Sequence, residues 1–554
     1  MNRHSLFICR ILAVLSFILG GCEEEQPAAD ETRPVAGFAE LIDAYEAGKS
    51  FSEAVHSADG CLIRFTDGSS VSVPRTSFIV HDCTQTYAQE VTVAGGWWKV
   101  GEMNLPIRAD SSLSRKDSEP VYVYYDTRTL YMYLSNREVL EFTSPAAEQE
   151  KEHARRQNIP VVRINTVGKA PILDKKNYVD GTISISDPEK LYSDVGEFKA
   201  DMGIRGRGNS TWEWEKKPWK VKLDSKASLL GMPADKEWAL LANYADRTLM
   251  RNIVAMRLSD ICGFSWTPRM RSVEVYLNDE YQGVYTLCEH KKVSKDRVNI
   301  DVVGEGDNGG EAVTGAYYLE MEENQDETTC WWTAMGVPMM FSDPEVPTSE
   351  QYAYMTGYID DFEKALRGPG SADPDVGYAA YIDVKSFIDY YIVQELTKNV
   401  DGNLRKSSFI TKEQGKKMEM YHLWDFDLTL GNCGYFNGSV GNGPENFWVK
   451  DYRSNSTYGG GWFWHLFKDP AFVKAVQTRW NELMPQLETI PQFIDDQAFA
   501  LDKAQIRNFE RWNIRNSVDW VKMPSRGSYE AEVRYLKEFY SKRLEWLDTA
   551  INDL

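Results

Sequence analysis

The residues best suited to chemistry in this chain are two carboxylates, Asp425 and Asp427, in the stretch YHLWDFDLTLGN. They alternate with Trp424, Phe426 and Leu428, a pattern typical of a short buried strand that runs out into a turn. Successive side chains of a strand point to opposite faces, so the alternation predicts that both carboxylates lie on one side. Two carboxylates at a strand end suit a hard divalent cation such as magnesium. An Asp turn cap beside a surface Asp explains the stretch equally well.

A helix and a hairpin are expected to position these carboxylates. The segment YIDVKSFIDYYIVQELTKNVDGN predicts a helix from Val384 to about Lys398, capped by Asp383 and followed by a loop that carries Asp401. Between Asp401 and Asp425 there is room for one strand, the turn KEQGKK and a second strand. Such a hairpin would return Asp425 to the side of Asp401.

A glycine-rich turn and a basic strand lie upstream, in GIRGRGNSTWEWEKKPWKVKLD. The backbone amides of the turn, together with Arg205 and Arg207, have the chemistry to cradle phosphate oxygens. In the strand that follows, Lys220 and Lys222 face one way and the apolar residues face the other. A lysine projecting from such a strand is used by protein kinases to hold nucleotide phosphates. A solvated basic strand face is the alternative interpretation.

A second helix and a second hairpin follow. The segment NYADRTLMRNIVAMRLSDICG predicts a helix with Asp246 as its N-cap and Gly263 at its end. Arg251 falls off the apolar stripe of this helix, so it is either solvated or turned toward a site. The next segment, SVEVYLNDEYQGVYTLCEHKKV, predicts a hairpin that turns at Asn278 and Asp279 and ends at Glu289.

Composition and the N-terminus limit the possible partners and location. A net charge of −21 makes nucleic acid an unfavourable partner, and the cysteines show no zinc-ligand spacing. The first 21 residues have an apolar run too short to span a bilayer, which predicts a signal peptide. The residues up to Cys22 resemble a bacterial lipobox, and the acidic run after Cys22 resembles the surface-export signal of Bacteroidetes lipoproteins. These resemblances imply a lipid anchor at Cys22 and a place on the cell envelope, in the outer membrane and at its surface.

The chain divides into five segments by composition. A tether is predicted for residues 22–50 after the signal peptide at 1–21, then a small β-rich module at 51–144, a charged linker at 145–158 and a larger domain at 159–554. In the small module, the pair Trp97 and Trp98 with a tyrosine stripe has two readings: a platform that stacks on glycan, or aromatic residues facing a strand core. The whole chain is expected to be α+β.

Several separated motifs resemble, in order and spacing, the spore-coat CotH protein-kinase family. They are GIRGRGNSTW, KKPWKVKL, YADRTLMRN, GVYTLCEH, NVDGN and WDFDLTLG, and the resemblance extends from about Pro160 to Pro485. It implies an atypical kinase with a β-rich N-lobe and a helical C-lobe. Such an enzyme would use ATP and Mg²⁺ or Mn²⁺ to phosphorylate Ser or Thr of extracytoplasmic proteins.

The resemblance also implies roles for individual residues. Asp401 matches the catalytic-loop aspartate that orients the substrate hydroxyl, and Asp425 matches the aspartate that binds the metal. The candidate nucleotide-binding residues are Arg205, Arg207, Lys220, Lys222, Arg251 and Glu289.

Two departures from the usual kinase pattern leave a second function open. Protein kinases carry a metal-binding Asn five positions after the catalytic Asp, where this chain has Lys406 followed by Ser407. Asn403 is the candidate that supplies an amide instead, and Asp427, in place of a glycine, is a candidate further metal ligand. The alternative is a catalytically inactive kinase-fold surface protein that binds glycan or protein ligands.

Overall fold

The computed structural model describes residues 38–57, 60–74, 81–82, 91–94, 97–100, 103–115, 118, 120–125, 129–144, 159–323, 329–434, 442–451, 461–514 and 523–554. The chain forms two compact units, Met1–Glu152 and His153–Leu554. Within the described residues, no helix is long and apolar enough to cross a membrane. Cys22 lies outside the described residues, so its lipidation stays a prediction.

Among its described residues, the first unit combines one helix with short strands that pair antiparallel, except for the parallel pair of His81–Asp82 with Pro120–Tyr125. Helix α1 spans Phe38–Glu46. The strands are β1 (Phe51–Ser57), β2 (Gly60–Phe65), β3 (Ser70–Pro74), β4 (His81–Asp82), β5 (Val91–Ala94), β6 (Trp97–Val100), β7 (Met103–Arg108), β8 (Pro120–Tyr125), β9 (Thr129–Leu134) and β10 (Val139–Thr143). Helix α1 buries Phe38 and Leu41 in the same core as residues of β2 and β10. The apolar face of this helix packs against the strands, so the folded unit begins before residue 51.

The two tryptophans of β6 have different environments. Trp98 is 4% exposed, and its ring lies 6.0 Å from the ring of Tyr133 in an edge-on contact. Trp97 is 39% exposed. Trp98 is therefore part of a core, whereas Trp97 is open to contact from outside.

The second unit begins with a closed seven-stranded barrel. Its strands are β11 (Val161–Thr166), β12 (Val179–Ser186), β13 (Glu197–Gly206), β14 (Trp219–Ala227), β15 (Asp235–Leu241), β16 (Met270–Leu277) and β17 (Glu280–Glu289). Neighbouring strands pair antiparallel, and the parallel pair of β11 with β16 closes the barrel. Alternation places the apolar residues Ile204 and Val221 in the interior and turns Lys220 outward.

A five-stranded sheet follows the barrel in the order β19, β20, β18, β21, β22. These strands are β18 (Tyr317–Glu322), β19 (Cys330–Trp332), β20 (Pro338–Asp343), β21 (Lys406–Lys412) and β22 (Glu419–His422). The helices of this unit are α2 (Ser210–Glu213), α3 (Arg251–Cys262), α4 (Ser349–Arg367), α5 (Val384–Thr397), α6 (Trp462–Leu466), α7 (Pro470–Leu487), α8 (Ile490–Arg511) and α9 (Tyr529–Asn552). One large hydrophobic core joins the sheet to the longer helices. The α+β class is confirmed.

The local signals around Asp401 predict the observed elements. Helix α5 is capped by Asp383, whose carboxylate accepts a hydrogen bond of 2.7 Å from the backbone N–H of Ser386. Strands β21 and β22 pair antiparallel and form the predicted hairpin. At the end of this hairpin, His422 is buried and its pKa falls to about 3, because burial disfavours the imidazolium. This histidine is therefore neutral, and its Nε2 forms a hydrogen bond of 2.7 Å with the Tyr318 hydroxyl.

Candidate active site

A cavity of about 650 Å³ in the second unit brings together Asp401, Asp425 and Asp427. We call it the aspartate cavity. Its wall also includes the turn after β13, the end of β15, the start of α3, the segment after β17, the end of β18 and the start of β21. A larger cavity, of about 910 Å³, contains none of the predicted site residues in its lining. The chemistry of the three carboxylates therefore selects the smaller cavity.

The backbone at Asp425 turns its carboxylate toward the cavity. Strand β22 ends at His422, so the strand alternation expected for this stretch does not reach the aspartates. Asp425 has φ 65°, a left-handed conformation that costs most residues about 1–3 kcal/mol. The next residue, Phe426, is fully buried, and its N–H donates to Asn252 Oδ1 at 2.7 Å. Burying Phe426 in this way leaves Asp425 facing the cavity.

Two buried side chains hold the loop that follows. Arg251, at the start of α3, donates from Nε to the Thr429 carbonyl at 3.0 Å and pairs with the Asp246 carboxylate. Asn432 donates from Nδ2 to the backbone carbonyl of Asp427 at 2.8 Å. Arg251 was predicted as a nucleotide ligand; the structure places it behind the loop, where it supports the backbone next to Asp427.

Burial raises the pKa of each of the three aspartates, and repulsion between carboxylates adds to this at Asp401 and Asp427. Burial and the neighbouring Asp425 raise the pKa of Asp401 to about 6. Burial also raises the pKa of Asp425, against the opposing effect of Arg207 and Lys291. Burial, and then repulsion from Asp425, raises the pKa of Asp427 well above its ordinary value. Positive charge inside this cavity would relieve the repulsion.

Four cationic side chains line the same cavity: Arg207, Lys291, Arg405 and Lys406. The Arg207 guanidinium lies 5.8 Å from the centre of the Trp424 ring. Lys291 is ion-paired with Glu320, and its ammonium lies 4.4 Å from the centre of the Phe409 ring. Arg207 was among the predicted site residues, whereas Lys291 and Glu320 were missed. The only sequence signal for Lys291 is its place just after the predicted hairpin that ends at Glu289.

The remaining predicted nucleotide ligands lie outside the lining of the cavity. The Lys220 ammonium pairs with the Glu237 carboxylate at 2.8 Å on the outer surface of the barrel, and Lys222 is exposed on the same strand. The Arg205 guanidinium lies 5.0 Å from the centre of the Tyr178 ring. These residues face away from the barrel interior because the apolar residues of β13 and β14 fill it.

Glu289 and Asn403 also lie outside this lining. Glu289 is fully buried, and its carboxylate accepts hydrogen bonds from the backbone N–H of Arg269 at 2.9 Å and from its guanidinium at 3.1 Å. Asn403 lines a separate cavity of about 30 Å³ beside Met335 and Trp462. The structure thus gathers Arg207, Asp401, Asp425 and Asp427 from the predicted set.

The family model described as CotH kinase protein matches residues 204–547. The chain belongs to the CotH kinase family. The three aspartates and the four cationic side chains of the cavity all fall inside the matched region. A search of the curated proteins found no match.

Proposed function

We propose that this chain is an ATP-dependent protein kinase that acts on Ser or Thr of extracytoplasmic proteins. The observation that carries the proposal is the aspartate cavity, in which Asp401, Asp425 and Asp427 face Arg207, Lys291 and Lys406. Carboxylates that take a proton or bind a metal, combined with cations that bind phosphate, are the parts that phosphoryl transfer requires. We further propose that the barrel and the helical part act as the two lobes of a kinase around this cavity.

A divalent cation, Mg²⁺ or Mn²⁺, fits this donor set. Asp425 and Asp427 supply hard oxygen ligands; burial raises the pKa of both, repulsion from Asp425 adds to this at Asp427, and a bound cation would favour the charged form of each. Within the described part of the chain, no group of three or more His, Cys, Asp and Glu is arranged to hold a metal ion. Mg²⁺ commonly uses one or two carboxylates and takes its other ligands from water and nucleotide phosphates. When bound, the cation would neutralise charge that develops on the transferred phosphate.

The side chains of the chain divide the remaining work. The Asp401 carboxylate orients the substrate hydroxyl and accepts its proton as the hydroxyl oxygen attacks the γ-phosphorus of ATP; the bond from that phosphorus to the β,γ-bridging oxygen breaks, and ADP leaves with the electron pair. Arg207 and Lys291 donate hydrogen bonds to phosphate oxygens and hold them in line. Asn252 and Arg251 fix the backbone around Asp425 and Asp427, so that neither carboxylate has to reorganise during the reaction.

The proposal includes a place for the protein in the cell envelope. A lipid anchor at Cys22 would hold the kinase on the outer membrane, close to exported protein substrates. Trp97, which is 39% exposed, gives the first unit an aromatic surface suited to glycan contact. This surface favours, as a second candidate function, a glycan- or protein-binding protein without kinase activity.

Nucleotide binding and phosphate transfer distinguish the two functions. We expect the purified full chain to show a rise in melting temperature with ATP and Mg²⁺ or Mn²⁺ together, because ligand binding stabilises the folded state. It should also transfer labelled phosphate to itself or to a generic protein acceptor. Asp401→Ala and Asp425→Ala should abolish the transfer, and Asp361→Ala, an exposed change on α4, serves as the matched control. The absence of any nucleotide-dependent shift would remove the kinase proposal and favour the binding protein.

A further inference from the structure

Lys406 occupies the position at which protein kinases carry a second metal ligand. The kinase catalytic loop places an Asn five residues after its Asp, and that Asn binds the second of two magnesium ions. Here the loop runs from Asp401 to Lys406, so the amide is replaced by an ammonium. The question is whether another amide reaches the carboxylates or whether the lysine does a different task.

Asn403, the nearest amide in the loop, is directed elsewhere. It is 7% exposed and lines a cavity of about 30 Å³ with Met335 and Trp462. Neither Oδ1 nor Nδ2 of Asn403 has a hydrogen-bond partner within the described residues. A cavity of this size holds about one water molecule, which is the natural partner of such an amide. Asn403 is therefore not a second metal ligand in the aspartate cavity.

Lys406 has the opposite placement. It begins β21, opposite Glu322, and lines the aspartate cavity together with Asp401 and Asp425. The neighbouring Arg405 is held by an ion pair of 2.7 Å with Glu323, whereas the Lys406 ammonium forms no hydrogen bond or ion pair within the described part of the chain. Lys406 thus brings an uncommitted charge to the metal-binding carboxylates.

We infer that this kinase works with a single divalent cation and that the Lys406 ammonium takes the place of the second. This inference rests on the proposed function. A lysine at this position donates to nucleotide phosphate oxygens and offsets part of their charge, as a second cation would. It also repels a second cation, because two positive charges compete for the same carboxylate and phosphate oxygens. Because Lys406 stands where kinases carry the Asn, the positive charge at this position belongs to the chain itself and not to a bound metal ion.

The number of bound metal ions tests the inference directly. The full chain is saturated with the non-hydrolysable nucleotide AMP-PNP, and protein-bound Mn²⁺ is counted by equilibrium dialysis and by electron paramagnetic resonance. We expect one Mn²⁺ per bound nucleotide in the unaltered chain. Lys406→Asn restores the kinase amide and should admit a second Mn²⁺.

Nucleotide affinity provides a second measurement. Lys406→Met keeps the apolar stem and removes the charge, and it should weaken AMP-PNP binding in Mg²⁺ about tenfold to a hundredfold, the usual value of a hydrogen bond to a charged group. Lys416→Ala is the matched control, because this exposed lysine lies in the turn of the same hairpin and pairs with Glu413. Unchanged melting temperatures of the apo proteins would show that each variant folds.

The outcomes separate the inference from the function on which it rests. Two Mn²⁺ in the unaltered chain, one Mn²⁺ in Lys406→Asn, or full affinity in Lys406→Met would each overturn the inference and leave the kinase proposal intact. A chain that binds neither AMP-PNP nor Mn²⁺ would overturn the kinase proposal itself.

Discussion

Replacement of Lys291 by methionine is expected to weaken nucleotide binding more than replacement of Lys220 or Lys222. The three lysines are similar in sequence context, since each follows or lies within a strand of the barrel region. Lys291 lines the aspartate cavity and opposes the raised pKa of Asp425. Lys220 and Lys222 lie outside the lining, on the outer surface of β14.

The structure sets the size of the effect. The Lys291 side chain is 24% exposed, so its interaction with a phosphate would be only partly screened by water. A hydrogen bond to a charged group contributes about 1.5–3 kcal/mol. At about 1.4 kcal/mol for each factor of ten, loss of this bond raises the Kd for ATP about tenfold to a hundredfold. Lys222→Met should change the Kd by less than about threefold, because exposed charges at a distance are screened.

Loss of Lys291 also leaves Glu320 without its ion-pair partner, in a site where that carboxylate is mostly buried. The variant Lys291→Met is therefore compared with Lys291→Met combined with Glu320→Gln, which removes the unpaired charge and preserves the fold. Calorimetric titration with AMP-PNP and Mg²⁺ gives the Kd of each variant. An equal loss of affinity in Lys222→Met or Lys220→Met, or an unchanged Kd in the Lys291 variants, would show that Lys291 does not bind the nucleotide phosphates.

Three further outcomes follow from the same structure. The free energy of unfolding of the metal-free protein should decrease as the pH rises from about 4 to 6. The reason is that the folded state raises the pKa of Asp401 to about 6 and so binds a proton more tightly than the unfolded state. Denaturant titrations at several pH values test this prediction, and Asp401→Asn should reduce the pH dependence. Asn252→Ala should lower the free energy of unfolding by about 1–3 kcal/mol, because it leaves the buried N–H of Phe426 without an acceptor. The same variant should bind Mn²⁺ more weakly in equilibrium dialysis. Unchanged Mn²⁺ binding would contradict the role of Asn252 in positioning Asp425. Arg543→Met should lower the free energy of unfolding, measured by denaturant titration, by about 3–5 kcal/mol, because it leaves the fully buried Glu395 carboxylate without its ion-pair partner. A loss below about 1 kcal/mol would show that the backbone N–H groups that donate to Glu395 are enough to stabilise its charge.

The elements around the site were predictable from local signals. The cap at Asp383, the glycine at the end of α3 and the hairpin turn at Asn278 each depend on residues within a few positions, and all three are observed. The lysines that line the aspartate cavity were not predictable in this way. The strand pattern of KPWKVKL gives two faces to β14, but it does not say which face meets a cavity, and the barrel closes with the lysine face outward.

Asp425 shows how a correct prediction can rest on the wrong reason. Strand alternation predicted a shared side for Asp425 and Asp427, and both line one cavity. The strand ends before them, and the shared side arises from the left-handed backbone at Asp425 and the buried N–H of Phe426. Its acceptor, Asn252, lies 174 positions away in the chain, so no local pattern contains this contact.

Order, spacing and residue type along the chain are enough to predict the α+β class, the family and the three aspartates. The cations that meet those aspartates depend on how distant segments pack in three dimensions. Lys291 and Lys406 reach the cavity because the end of the barrel and the start of β21 converge on it, while Asn403 is turned into a separate cavity. Convergence of distant segments depends on how the barrel and the sheet pack, and packing is a property of the whole second unit rather than of any one stretch.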